Sequence, residues 1–295
     1  MEIRAKSSII VQPLGRNLEP TVCIENTQSV PQGGTRSVCN ILVGRNYVSY
    51  ALSDPECSLV RLLKHYYFKD RIIGKRDFQE ILSDPALQGL EQVKIAIDSV
   101  KSVLIPDPLY RDADRSRYFE FLHDLSPDEA LFVQKLNGNK TSVYSLKKST
   151  VAFLETLFPE ISFYDATSSL LNTYPSLLFN DDMHTIFLNC KDDCASVSVY
   201  YKKELRFHHV YADVSNVDLQ YYLAAYLHEQ NLDVEKVLIL LLGEGSRLPE
   251  IQSELSKYYS HIKYCSRIQH LQYPETLYAH PVHAFFNLFS LVTCA

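Results

Sequence analysis

A glycine-rich segment directly after an aliphatic run is the part of the chain best suited to bind a ligand. Val237 to Leu242 predicts a strand buried on both faces, and Gly243 to Pro249 continues with the sequence GEGSRLP. Glycines let backbone N–H groups approach a phosphate or nucleoside closely. Gly243, Gly245 and Ser246 are therefore predicted to bind a nucleotide cofactor. A single Gly-x-Gly also occurs in ordinary strand-to-helix turns, so that simpler interpretation stays open.

Acidic residues at two other places are candidates for metal or acid–base chemistry. Asp192 and Asp193 stand side by side in a short connection between two β-rich runs. Adjacent acids in a tight turn are usually only solvated, and that interpretation is favoured. Asp165 is interpreted as a helix N-cap in preference to a catalytic acid. No catalytic residue and no metal ligand is therefore predicted.

Histidine and cysteine residues give only a superficial zinc signal. His208 and His209 are neighbours on a predicted strand, so their side chains face opposite sides of the sheet. Cys190 and Cys194 lie nearby in sequence, but their Cys-x-x-x-Cys spacing falls on a hairpin. A zinc site is not expected.

The composition limits the classes of function. The chain has 295 residues, 46% of them hydrophobic, which suffices for the cores of two lobes. A net charge of -6 with scattered Lys and Arg gives no broad attraction for nucleic acid or anionic lipid. Residues 1–14 lack a signal-peptide core, and no segment approaches the roughly 18 apolar residues of a membrane span. With irregularly spaced cysteines, these features predict a reduced, cytoplasmic protein without membrane insertion.

The order of predicted elements is similar in the two halves of the chain. Each half offers a hairpin, helix and strand in the same order, although no repeat is visible as sequence identity. The predicted elements of the first half are strands at Val38–Val43 and Tyr47–Leu52, helices at Ser58–Phe68 and Lys75–Leu82, one bent strand or two strands within Glu91–Val103, a hairpin of Phe132–Leu136 and Ser142–Leu146, a helix at Lys148–Phe158, a strand at Ile161–Tyr164 and a helix at Asp165–Tyr174. Those of the second half are strands at Met183–Leu188, Cys194–Tyr201 and Glu204–Tyr211, a helix at Val217–Gln230, the strand and glycine turn already described, and an apolar helix at Pro281–Thr293.

This order predicts an α/β protein of two lobes. Residues 37–174 form the predicted first lobe, and residues 175–295 form the second lobe with the C-terminal helix. Residues 1–36 are interpreted as a leader or an extra edge strand, with a candidate strand at Ser8–Gln12.

The same segments resemble the actin, Hsp70 and sugar-kinase superfamily, whose two ribonuclease H-like halves each have a mixed sheet flanked by helices. In that superfamily a hairpin turn in each half holds the nucleotide phosphates, with an acidic residue for Mg²⁺ and glycines for close approach. Here Asn189 and Leu42 stand at the two acidic positions, while Gly44 fits the glycine position of the first turn. In the second turn Lys191 to Asp193 replaces the glycines.

Further segments extend that resemblance. Gly243 to Pro249 is similar to the superfamily's adenosine-contacting turn, and Asp165 occupies the place of its water-orienting acid. A closer resemblance is to an uncharacterised bacterial family, a domain of unknown function with an actin-like ATPase fold. Its hallmarks resemble Tyr47–Leu52, Leu104–Pro106 and Tyr211–Tyr222. The resemblance implies a fold and no activity.

Three functions follow as hypotheses. The favoured one is a cytosolic binding or scaffolding module with degenerate phosphate loops and an unknown protein partner. Phosphoryl transfer depends on metal charge, and both metal-anchoring acids are missing from this chain. The alternative is an ATP-binding protein with weak or no hydrolysis, in which Gly243 and Gly245 lie near adenosine and Lys191 neutralises phosphate in place of Mg²⁺. Gly44, at the first phosphate turn, is a further candidate for cofactor binding. The third is a metal-dependent nuclease, which needs clustered carboxylates.

Overall fold

The computed structural model describes residues 18–25, 37–54, 56, 58–68, 73–90, 92–98, 101–158, 160–192, 194–265, 267–269 and 271–294. The candidate strand at Ser8–Gln12 lies outside these residues. The elements of the first half are β1 (Val22–Glu25), β2 (Val38–Val43), β3 (Tyr47–Ser53), β4 (Val60–Tyr67), α1 (Lys75–Leu82), β5 (Gln92–Ile97), β6 (Ser102–Pro106), α2 (Arg115–Glu120), β7 (Glu129–Leu136), β8 (Lys140–Lys147), α3 (Lys148–Leu157), β9 (Ile161–Asp165) and α4 (Ala166–Thr173). Those of the second half are β10 (His184–Cys190), β11 (Cys194–Tyr201), β12 (Glu204–Ala212), α5 (Asn216–Glu229), β13 (Val237–Leu242), α6 (Leu248–Leu255), β14 (Ile262–Tyr264) and α7 (Phe286–Phe289).

Two mixed sheets repeat one topology. The first sheet has the order β1-β4-β3-β2-β5-β9, and the second has the order β12-β11-β10-β13-β14. In each, an antiparallel meander of three strands is followed by two strands parallel to its first member. The predicted α/β architecture of two similar halves is confirmed, and β1 adds an edge strand to the first sheet.

One predicted helix is wrong. Ser58–Phe68 contains strand β4, which pairs with β3 on one side and with β1 on the other. The apolar residues Val60 and Leu63 lie three residues apart and imitate a helical period, while Tyr66 and Tyr67 favour a strand. Pairing with two neighbouring strands decides the conformation, and a local pattern does not contain that information.

A small third sheet is inserted between β5 and α3. Its order is β6-β8-β7, and α2 packs on it through the fully buried Phe119. The predicted hairpin is confirmed: Gly138 and Asn139 turn the chain with φ of 78° and 57°. Glu91–Val103 contains part of two strands, as one of the alternatives predicted.

Apolar segments fill the space between the two large sheets. The C-terminal segment forms a 3₁₀ turn at Val282–Phe285, then α7, then a second 3₁₀ turn at Ser290–Thr293, where one continuous helix was predicted. Side-chain hydroxyl bonds three residues back, from Ser290 to Asn287 O (2.7 Å) and from Thr293 to Ser290 O (2.7 Å), accompany this tighter winding. Thr173 of α4 contacts Thr293 at 2.9 Å, so the two segments pack together.

The helices in the described part of the chain include none that is both long and apolar enough to cross a membrane.

Candidate functional site

The turns of two equivalent hairpins meet at one junction. The β2–β3 turn contains Gly44, the β10–β11 turn begins at Lys191, and the ends of β5 and β13 lead to Asp98 and Gly243. In the resemblance described above, phosphates lie between these two turns. The junction is therefore the place to ask what the predicted residues do.

A buried ion pair joins the two halves there. The Lys191 ammonium group donates to Asp98 Oδ1, and the Tyr47 hydroxyl donates to Asp98 Oδ2 at 3.0 Å. The side chains of Lys191 and Asp98 are only 9% and 10% exposed. Burial alone would lower the pKa of Lys191, but the Asp98 carboxylate outweighs it and the pKa is raised. Lys191 is therefore held as a cation with its charge already matched.

Asp192 makes a second connection between the halves. Its Oδ1 accepts hydrogen bonds from the Ser246 backbone N–H (2.9 Å) and hydroxyl (3.0 Å), and its Oδ2 accepts one from the Tyr67 hydroxyl (2.6 Å). Burial raises its pKa, but the hydrogen bonds from Tyr67 and Ser246 more than reverse this, so the pKa is lowered. Asp192 is exposed to solvent, as expected for a turn, and its carboxylate also accepts hydrogen bonds from three donors.

Gly243 and Gly245 lie against the β10–β11 turn. Gly243 has φ of 106°, and a Cβ there would lie 2.2 Å from the Cys190 carbonyl oxygen. Its N–H donates to His283 O at 3.1 Å, and the Gly245 N–H donates to Cys190 O at 3.0 Å. The close approach that requires glycine is thus made to the chain's own backbone.

Gly44 is covered by an aromatic ring. A Cβ added at Gly44 would lie 2.1 Å from Cε1 of Tyr47, and the Gly44 N–H donates to Tyr47 O at 2.9 Å. The Tyr47 ring therefore occupies the space directly beside the Gly44 backbone.

Glu244 is a buried carboxylate at the same junction. Neither oxygen accepts a hydrogen bond of good geometry from the residues that the structure describes. Burial raises the pKa of Glu244 well above its ordinary value, and the Asp98 charge raises it further. The Lys191 charge and the Tyr47 hydroxyl lower this pKa, but by less. The remaining cavity measures about 30 Å³ and is lined by Arg45, Asn46, Tyr47, Tyr67, Asp98, Lys191, Asp192, Cys194 and Glu244. That volume holds one or two water molecules and no triphosphate.

Asp165 caps α4, as its sequence predicted. Its Oδ2 accepts from the Ser168 N–H at 2.8 Å and from the Ser168 hydroxyl at 2.7 Å. Burial raises the pKa of Asp165 to about 6, although the bonds from Ser168 lower it. Within the described ranges, no three His, Cys, Asp or Glu side chains are grouped so as to hold a metal ion.

The structure brings all five predicted cofactor-binding residues to this junction: Gly44, Lys191, Gly243, Gly245 and Ser246. Sequence reasoning missed other residues of the junction: Tyr47, Asp98, Tyr67 and Glu244. A signal existed for Asp98, because it directly follows a strand parallel to β2, and the carboxyl ends of parallel strands carry ligand-binding groups. Tyr47 and Tyr67 gave none, since tyrosines are frequent throughout the chain.

Comparison with known proteins places the chain in a family. It belongs to the family described as "Protein of unknown function (DUF3822)", whose model matches residues 37–262. Its fold is similar to that of a Bacteroides thetaiotaomicron protein with actin-like ATPase fold and unknown function, with 16% identity, a TM-score of 0.74, and coverage of 92% of this chain and 99% of that one. It is also similar to a chain of the PilM–PilN type IV pilus biogenesis complex, with 12% identity, a TM-score of 0.61, and coverage of 86% and 97%. No curated protein sequence matches it. The fold is thus an actin-like ATPase fold.

Proposed function

We propose that this protein is a non-catalytic binding or scaffolding module of the cytosol, built on an actin-like fold whose phosphate site has been closed from within. One observation carries the proposal: the donors that the predicted site would offer to a phosphate are already bound inside the chain. Lys191 binds Asp98, Ser246 binds Asp192, and the Gly243 and Gly245 N–H groups bind backbone carbonyls.

The residues at the metal-anchoring positions support the same proposal. Asn189 and Leu42 are both buried, and Leu42 belongs to the apolar core between the sheets. Neither side chain supplies the negative charge that would hold hydrated Mg²⁺, and phosphoryl transfer depends on that charge. Hydrolysis of ATP should therefore be absent.

A protein partner is the ligand class that this proposal favours. A closed junction leaves the outer surfaces of a rigid scaffold for function, and one protein of similar fold is a component of a pilus biogenesis complex. That likeness extends to the fold alone.

Two other functions have less support. ATP binding without hydrolysis would require the Lys191–Asp98 pair and the Tyr47 ring to move, because the present cavity is too small for a nucleotide. A metal-dependent nuclease would need several carboxylates around a metal pair, and the described residues group none in that way.

Thermal unfolding with millimolar ATP or ADP, with and without Mg²⁺, tests the proposal. A ligand at a hundred times its dissociation constant stabilises a protein by about 2.7 kcal/mol, which is readily seen. We expect no shift with either nucleotide. A nucleotide shift that persists without Mg²⁺ and disappears in Lys191→Met would favour ATP binding, and magnesium-dependent release of phosphate would overturn the proposal.

A further inference from the structure

A second, larger cavity lies on the first half of the chain. It measures about 600 Å³ and opens where β2 and β5 end, beside the inserted three-stranded sheet. Val43 and Ile97, the last residues of these two parallel strands, both line it. Ligands of open α/β sheets bind outside the carboxyl ends of strands, and small-molecule sites usually measure 300–1,000 Å³. Position and size both suit a small ligand.

The floor of this cavity is apolar. Phe78 of α1 and Phe153 of α3 pack with their ring centroids 5.9 Å apart, and both line the cavity together with Ile97 and Leu146. Aromatic and aliphatic side chains of this kind bury the body of a ligand. The junction between the hairpin turns, by contrast, is lined largely by charged and polar groups.

The rim of the cavity is positively charged. Its acids are already matched: Glu129 accepts from Lys101 at 3.1 Å and from the Ser126 N–H at 3.0 Å, and Asp98 is bound by Lys191. Lys75 and Lys147 also line the cavity, and neither ammonium group forms an ion pair with a carboxylate among the residues that the structure describes. An acidic influence on Lys147 comes from Asp128, whose pKa is lowered by the Ser126 hydrogen bond and by the Lys147 charge. Lys75 lies over the Phe153 ring, with its Nζ 5.6 Å from the centroid. Two cations thus stand at the edge of an aromatic floor.

The first turn of α3 adds polar donors to the same rim. Lys147 occupies the N-cap position and provides no side-chain cap, while Ser149 and Thr150 of the first turn line the cavity. The Lys148 N–H donates to Asp128 O at 2.8 Å, and the N–H groups and hydroxyls of Ser149 and Thr150 favour a negative group at the start of this ten-residue helix.

From the cavity, its apolar floor and its unmatched rim charges, we infer a binding site for a small amphipathic anion, a carboxylate or phosphate carried on an apolar body. The chain's own first 17 residues are a poor occupant, because they carry the cations Arg4, Lys6 and Arg16 against the single acid Glu2. The site differs from the closed phosphate junction, although Arg45 and Asp98 line both. It does not depend on the function proposed above.

A pair of matched probes tests this inference on the full chain. 4-Phenylbutanoate and 4-phenylbutan-1-ol share an apolar body and differ in charge, and their binding is measured by saturation-transfer NMR and calorimetric titration. We expect the acid to bind about tenfold more tightly than the alcohol, with an affinity that falls as salt is added.

Variants assign the binding to this cavity. Lys147→Glu should weaken binding of the acid about tenfold, because it reverses a charge at the rim, and should leave the affinity for the alcohol unchanged. Lys147 is exposed, so the substitution should not disturb the fold. Lys236→Glu, an exposed change in the second half of the chain, is the matched control and should change neither affinity. The inference is overturned if both probes bind equally, if neither binds at 10 mM (roughly a 3 kcal/mol interaction), or if the two variants weaken the acid alike. Unchanged melting temperatures establish that both variants are folded.

Discussion

The buried Lys191–Asp98 pair should be a major source of stability for the junction. Lys191→Met removes the cation but keeps a side chain of similar length, so Asp98 is left buried beside Glu244 with no opposing charge. Two unit charges about 4 Å apart at a protein surface interact by roughly 4 kcal/mol, and breaking a buried pair on one side typically costs about 3–5 kcal/mol. We expect a loss in the free energy of unfolding of about 3–5 kcal/mol.

Urea titration followed by far-ultraviolet circular dichroism measures this loss, because the chain contains no tryptophan to report on unfolding by fluorescence. The double variant Lys191→Met with Asp98→Asn removes both charges and should recover at least half of the loss. Lys236→Met, at an exposed position, is the control and should change stability by less than about 0.5 kcal/mol. A loss below about 1 kcal/mol for Lys191→Met, or no recovery in the double variant, would refute the buried pair as a stabilising element.

Three further predictions concern the same junction. Gly243→Ala should lower the free energy of unfolding by about 2 kcal/mol or more. Gly89→Ala is the control and should cost about 1 kcal/mol, because Gly89 also has a positive φ (70°) but nothing lies within 4 Å of its Cβ position. Equal losses by urea titration would contradict the close packing at Gly243. Glu244→Gln should gain stability relative to the wild type as the pH rises above 4.5. The raised pKa of Glu244 means that the folded state holds its proton longer than the unfolded state, so wild-type stability falls with increasing pH over that window; parallel stability profiles from pH 4 to 7 would refute this. Tyr67→Phe removes the 2.6 Å hydrogen bond to Asp192 and should cost about 1 kcal/mol in the free energy of unfolding. In an Asp192→Ala background, which has no side-chain acceptor, the same change should cost nothing, and equal costs in the two backgrounds would contradict the bond.

Most of the fold could be predicted from the sequence because its strongest patterns are local. The aliphatic run of β13, the Asn-Gly-Asn hairpin and the apolar period of α5 each specify an element without reference to the rest of the chain. Strand β4 was missed because its conformation depends on pairing with β1 and β3. The C-terminal segment was predicted as one helix because composition indicates burial, while the change between 3₁₀ and α winding depends on what it packs against.

Only part of the candidate site could be predicted from the sequence. Glycines and a lysine at hairpin turns are recognisable by type, and all five predicted residues meet at the junction. The contacts that complete the junction join distant parts of the chain: Asp98 is 93 residues from Lys191, and Tyr67 is 125 residues from Asp192. Contacts at such separations follow from the assembled sheets and cannot be predicted from spacing. The second cavity was missed for the same reason, since its floor and rim come from six separate elements and their connecting turns.

The proposed closure of the phosphate site is consistent with the chemistry of the junction. A phosphate site needs cations, N–H groups and hydroxyls directed to one point, and without an anion such a site is costly because its buried donors lack partners. Here Asp98 accepts from Lys191 and Asp192 accepts from Ser246, so two carboxylates serve the donors that a phosphate would otherwise serve. Tyr47 and Tyr67, both from the first sheet, hold these same carboxylates from the other side of the junction. Because each carboxylate is bound by residues from both halves, opening the junction would expose two bound charges at once, and the two halves are therefore expected to act as one rigid body.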